Sequence, residues 1–212
     1  MDSPAAVTSR SWNRLLLLMI VTISGGSVLR AQQPAALPAA GAAGQHGFHF
    51  SIAMGSSSVS ASCPSCAVDV LSDRINGFSG TVQVGGAITP KLIVAGEFMG
   101  WMRNDVPIYR RIAALNIVVI GYPTPGSGFF VRGGGGALRA IIEDDFTLAQ
   151  TDAFSSQIGV GYDFPMGNGR LKFTPQVTYI STFGGATTFN GISSPEVVAP
   201  NMLQIGIGLT FH

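Results

Sequence analysis

Charge is scarce in this chain: Asp, Glu, Lys and Arg together make up 11% of its 212 residues, against roughly 25% in an ordinary soluble domain. So thin a charged complement excludes a typical cytosolic surface. The formal net charge of +1 leaves no basic field to hold nucleic acid. Without residues 1–31, which carry Arg10, Arg14, Arg30 and Asp2, nine basic and ten acidic residues remain and that conclusion stands. Long apolar runs are missing as well. Hydrophobic residues make up 46% of the chain, yet no run after Ile23 approaches the ~20 residues that a spanning helix needs. Cysteine is limited to Cys63 and Cys66, half of the four ligands that a structural zinc site requires.

What is present in quantity is glycine and proline, 28 and 12 residues, both poor helix formers. An apolar chain that cannot span as a helix can still span as a closed sheet, in which every backbone polar group is paired between strands. The amino terminus supplies the route out of the cytoplasm. Arg10 and Arg14 precede the apolar stretch 15–23, and small and polar residues follow as far as Ala31. This is the pattern of a secretory signal peptide over residues 1–31. An uncleaved anchor is the rival reading, disfavoured by the short apolar stretch and the Pro/Ala/Gly run that follows at once. Residues 32–45, QQPAALPAAGAAGQ, have no periodicity and read as a flexible lead-in. The folded domain is expected over residues 46–212.

From there the dominant period is two. Phe48, Phe50, Ile52 and Met54 alternate with His49, Ser51, Ala53 and Gly55, as in a strand with one greasy and one small or polar face. Phe78, Val82, Val84 and Ile88 repeat the pattern. Leu92, Val94, Phe98 and Met102 do so less cleanly, because Ile93, Met99 and Trp101 occupy the other face. Residues 111–121 are apolar on both faces and read as a strand from their Ile/Val content. Segments 129–138, 154–164, 171–181 and 202–211 bring the expected count to eight. Long connections are expected at 56–76, 139–152 and 182–201, an intermediate one at 103–110, and short ones at 89–91, 122–128 and 165–170. With both termini in the periplasm, that order fits the alternation of outer-membrane barrels, least well at the 103–110 and 122–128 pair. Glu97, Arg132 and Lys172 fall on the inward parity, where lipid would require them, since a charge facing lipid at mid-depth costs ~2–4 kcal/mol. They either pair inside the lumen or meet water and polar neighbours such as Gln83, Gln157 and Gln176; the sequence leaves both readings open.

The chain ends in strict alternation, with Leu203, Ile205, Ile207, Leu209 and Phe211 on one parity and His212 last. This looks like the carboxy-terminal assembly signal of outer-membrane barrels, although there the aromatic residue is usually last. With the leader and the strand count, residues 46–212 resemble the small eight-stranded barrels typified by the transmembrane domain of outer-membrane protein A. The resemblance implies an all-β, closed, antiparallel, up-and-down barrel in the bacterial outer membrane. It implies outer-membrane lipid and the barrel-assembly machinery as partners. It carries no active site, and no peptidoglycan-binding segment follows the last strand.

Individual motifs add little chemistry. Cys63-Pro64-Ser65-Cys66 follows a Ser-rich run with no sign of a helix to lower a thiolate pKa. A local disulfide is expected in an oxidising compartment, with redox or metal work as the rival. The glycine run 133–136 lacks the Lys-Ser/Thr of a phosphate loop and reads as small residues in a strand. His46, His49 and His212 lie at one end of a closed barrel, where a metal pair is conceivable. Glu143, Asp144, Asp145 and Asp152 form either a solvated acidic face or a Ca²⁺ loop. No cofactor and no enzymatic activity are expected. A structural or surface-interaction role without a general diffusion pore is, because side chains about fill an eight-stranded interior. A soluble secreted barrel around a small apolar ligand is the alternative, and it would need the opposite parity of polar and apolar faces.

Overall fold

The computed structural model describes residues 47–62, 74–124, 126–194 and 198–212. The expected leader (1–31), the lead-in (32–45), His46, Cys63 and Cys66 lie outside the described residues. The regular structure is entirely strand: β1 (Phe48–Ser62), β2 (Ile75–Thr89), β3 (Leu92–Asp105), β4 (Ile108–Gly121), β5 (Phe129–Glu143), β6 (Leu148–Tyr162), β7 (Phe164–Met166), β8 (Leu171–Phe189), β9 (Ile192–Ser194) and β10 (Ala199–Phe211). β7 and β9 are three-residue strands that each pair with β8. The other eight are long, and each pairs antiparallel with its neighbours.

The β1–β10 pairing closes the sheet into a barrel with no free edge along the eight-strand wall. Followed from Phe48 through Gly86, Val94, Val119, Gly133, Ile158, Tyr179 and Leu203, the register returns to β1 at Ser58, ten residues further on. Such a stagger requires tilted strands, roughly 35–45° from the barrel axis. Both ends of the described barrel chain, Gly47 and His212, lie at one end, together with the connections 90–91, 122–128 and 163–170. The connections 106–107 and 144–147 and the 190–191 turn lie at the other, here called the distal end.

Alternation sorts the side chains. On β1, Phe48, Phe50, Ile52 and Met54 face out and exposed while His49, Ser51 and Ala53 are buried inside. On β10, Ile205, Ile207, Leu209 and Phe211 face out, and Gln204 and Thr210 are buried. The outward stretch from Leu203 to Phe211 covers roughly 20 Å at ~3.3 Å per residue and a ~40° tilt, most of the ~25 Å apolar band of outer-membrane barrels. Phe129, Tyr162, Phe164, Phe173 and Phe211 ring its terminal margin, with Tyr162 and Phe164 at 4.6 Å between centroids.

Beyond Met54 the outward face of β1 changes to Ser56, Ser58 and Ser60. Neighbouring strands follow suit with Asn76, Asn104, Arg111, Arg139, Gln150, Asp152, Thr188 and Asn201. The interior changes in the opposite sense. Val59, Met99, Trp101, Ile112, Leu138, Ile180 and Met202 form an apolar cluster inside the distal half.

Five expectations are corrected here. Residues 139–152 are not a long loop, since β5 runs to Glu143 and β6 starts at Leu148. Residues 103–110 shrink to the Val106-Pro107 turn, shorter than the 122–128 connection at the terminal end, so the alternation of long and short is reversed for that pair. Most of 182–201 is strand, through β8, β9 and β10, and the 56–76 connection narrows to residues 63–74. Segment 154–164 breaks at Asp163, between β6 and β7. Where strands extend into expected loops the cause is polarity: polar and charged residues on an outward parity read as loop, but a strand projecting beyond an apolar belt carries them without penalty.

Candidate functional site

Three polar or mixed clusters occupy the lumen, stacked along the barrel. The central one is built on Glu97, which β3 aims inward between Ala95 and Met99. Its carboxylate accepts from Gln83 Nε2 at 2.7 Å, Gln157 Nε2 at 2.7 Å and Asn116 Nδ2 at 3.4 Å. It also forms a buried ion pair with Arg132 Nη2. Arg132 donates further to Gln157 Oε1 at 3.1 Å and Gln176 Oε1 at 3.2 Å. Asn116 accepts from Ser155 Oγ at 2.8 Å. Side chains from β2, β3, β4, β5, β6 and β8 thus converge on one buried charge pair inside the lumen. The glycine run 133–136 makes room for it within strand β5. A Cβ at Gly136 would stand 1.9 Å from the Leu115 carbonyl oxygen and 2.8 Å from Asn116 Oδ1, which excludes any larger residue.

Lys172 does not join this pair. It sits at the terminal end, 3.5 Å from Asp163 Oδ2, with its ammonium 5.8 Å from the Tyr122 ring centroid. Asp163 also accepts from the Tyr122 hydroxyl at 2.8 Å and the Thr174 hydroxyl at 2.8 Å. His49 and His212 do meet, Nδ1 to Nδ1 at 3.4 Å. His212 Nε2 lies 3.7 Å from Asp163, and His49 Nε2 is 3.4 Å from Gln83 Oε1. Among the described residues no group of three or more His, Cys, Asp or Glu is placed to hold a metal ion.

The third cluster is the distal chamber. Above Trp101, whose indole N–H donates to the Ser57 carbonyl at 3.2 Å, a cavity of about 120 Å³ opens among Val59, Ile75, Ile112, Ile142 and Arg110. Arg110, which lines it, shares one carboxylate, Asp105, with Arg103, at 3.0 and 2.5 Å. The Arg103 guanidinium, backed by Arg110, holds the Asp105 carboxyl below its ordinary range. The acidic residues of the next turn do not converge. Asp152 pairs across the wall with Arg139. Asp144 accepts the backbone N–H groups of Phe146 at 2.9 Å and Thr147 at 2.7 Å, which pull its carboxyl below the usual range.

The sequence reading found Glu97, Arg132 and the three glutamines but missed Asn116, Asp163 and the whole chamber. The signal for the chamber was present: Met99 and Trp101 are two of the residues that spoiled the alternation of β3. Leu203, Ile205, Ile207, Leu209 and Phe211 share the outward face of β10, which pairs with β1 and β8.

No family model matches the sequence, and no curated protein matches it either. Solved structures do. The crystal structure of Neisserial surface protein A superposes with a TM-score of 0.56 at 11% identity, covering 77% of this chain and 96% of that one. Ail, the attachment invasion locus protein of Yersinia pestis, gives 0.48 at 14% identity over 77% and 98% of the two chains. At these identities the likeness is one of fold, and the first superposition carries it. Closed register, eight long strands and this match agree that the chain has the all-β, eight-stranded antiparallel barrel fold of small outer-membrane proteins.

Proposed function

We propose that the barrel spans the bacterial outer membrane, with its terminal end in the periplasm and its distal end standing clear of the bilayer as a collar for surface contacts. The observation that carries this is the change of outward residues on single strands, from Phe48, Phe50, Ile52 and Met54 to Ser56, Ser58 and Ser60. A lipid slab of fixed thickness demands such a boundary. A barrel soluble along its full length would leave the whole apolar belt in water, far more exposed apolar surface than a soluble monomer tolerates. We read the Glu97–Arg132 pair as a plug of the lumen, which supports a structural or interaction role over general diffusion.

In this reading residues 1–31 are the leader removed on export. Leu203, Ile205, Ile207, Leu209 and Phe211 are offered to the assembly machinery before they face lipid. Cys63 and Cys66 belong to a distal connection in an oxidising compartment, where a disulfide between them is expected. The test is labelling of intact cells with a membrane-impermeant maleimide, in a background with both native cysteines replaced by serine. Ser58→Cys should label and Met54→Cys should not. Equal labelling of both, or of neither, would remove the collar. Planar bilayers containing the protein should show no steady conductance, and an open pore would refute the plug.

A further inference from the structure

We propose that the distal chamber is a binding site for a small anionic amphiphile, a carboxylate on a short acyl chain or a single ring. Its apolar body would lie among Val59, Ile75, Trp101, Ile112 and Ile142, with its head on Arg110. Size sets the class of body. Close-packed interiors leave few voids larger than a water molecule, and an apolar cavity of ~150 Å³ takes up benzene rather than water. The chamber's 120 Å³ is of that order and its lining is almost wholly apolar, so water gains little there and one ring or a short chain fills it.

Charge sets the head. At the plug one guanidinium meets one carboxylate that three further side chains solvate. Beside the chamber Arg110 and Arg103 share one carboxylate, and Arg111 also lines the cavity, leaving an excess positive charge beside an apolar hole. Arg103 gives a further bond to the Asn76 carbonyl at 2.7 Å. Arg110 makes its bond to Asp105 with one nitrogen, and a guanidinium carries five N–H donors in a fork suited to carboxylates. The site belongs to the half of the barrel whose inside is apolar and outside polar, so a ligand reaches it from water rather than from lipid. The inference deepens the surface-collar reading but requires only that the barrel be closed. A heat-dependent gel shift checks the closed barrel separately from ligand binding, and cell labelling checks the membrane placement.

Trp101 is the reporter, since the other tryptophan, Trp12, lies in the leader. Exported protein in phosphatidylcholine nanodiscs is titrated with 6-bromohexanoate and, in parallel, 6-bromohexan-1-ol, whose bromine quenches indole on contact. Saturable quenching is expected, with the acid bound about tenfold more tightly than the alcohol, the scale of one charge-assisted hydrogen bond. Arg110→Gln should abolish that preference while leaving the alcohol bound. Ala140→Phe, which fills the chamber, should abolish both. Ile142→Phe serves if Ala140→Phe loses the heat-dependent gel shift that marks a closed barrel. Non-saturating quenching that survives the filling variant is partition into lipid and overturns the proposal. So does equal affinity for acid and alcohol. So does saturable binding that appears only after residues 63–73 are replaced by a Gly/Ser linker, because the chain itself then occupies the chamber.

Discussion

The two halves of this barrel wall are built on opposite rules. From the terminal end to the level of Met54, bulky apolar residues face out, and the interior is rich in Ser, Thr, Gln and Asn around the Glu97–Arg132 and Lys172–Asp163 pairs, beside a smaller apolar patch of Ile93, Val118, Ile120, Tyr122 and Phe130. From Ser56 onward the outward residues are mostly polar, and the interior is the Val59, Met99, Trp101, Ile112, Leu138, Ile180, Met202 cluster. One half treats its surroundings as oil and the other treats them as water, on the same strands and without a break in the register of β1 with β10. Interior polarity follows from the same logic. Lipid contributes no net drive to bury apolar groups, so the terminal half is cross-linked by hydrogen bonds, whereas the distal half folds on an ordinary hydrophobic core.

That contrast can be broken in order of expected effect. Glu97→Ala strands the Arg132 charge in the lumen and should cost about 3–5 kcal/mol. The equivalent cut at the distal end, Asp105→Ala, should cost far less, because water screens that exposed pair. Denaturant unfolding from lipid vesicles measures both, and a small loss at Glu97 would mean that lumen water solvates Arg132. Next, Ile112→Ala should remove about 2–5 kcal/mol by leaving a hole in the distal core. Leu115→Ala, on the outward face of the same strand, should lose less because lipid chains close over it; equal losses would deny the core its role.

Third, Ile207→Arg at the belt should cost about 2–4 kcal/mol, and Ser58→Arg on the collar no more than ~1 kcal/mol. Equal penalties would place Ser58 inside the bilayer and shift the boundary. The smallest effect concerns Asp144. Because backbone N–H groups lower its carboxyl pKa in the folded state, its contribution is fully present above the unfolded value and is lost as pH falls through the depressed folded one. A carboxyl ¹³C titration should find Asp144 below its value in the unfolded chain, and Asp144→Asn should leave overall stability almost unchanged.

How much of this was legible beforehand differs by region. The belt was readable because period-two alternation is local: Phe48, Phe50, Ile52 and Met54 announce a strand and its two faces without reference to any partner. Glu97 and Arg132 were placed inward by the same parity. Their pairing was not readable, because β3 and β5 flank β4 without pairing with each other, and Lys172, on the same parity, is carried to Asp163 at the other level. The distal half was misread as loop. Arg139 and Asp152 look like loop residues until they are seen opposite each other on β5 and β6. Met99 and Trp101 looked like faults in a pattern whose lower half alone obeys the lipid rule.

By itself the sequence determined the class: a sparsely charged, glycine-rich chain with two-residue periodicity and no spanning helix can pair its backbone in an apolar medium only as a closed sheet. Strand periodicity is a property of successive residues, so no fold is needed to see it. Only the tertiary structure decided the ten-residue stagger by which the register that leaves β1 at Phe48 returns to it at Ser58. It also decided which inward groups meet and where the apolar interior opens into a chamber. Each of those depends on the register between strands distant in sequence, and register is settled by closure of the whole ring rather than by any one strand.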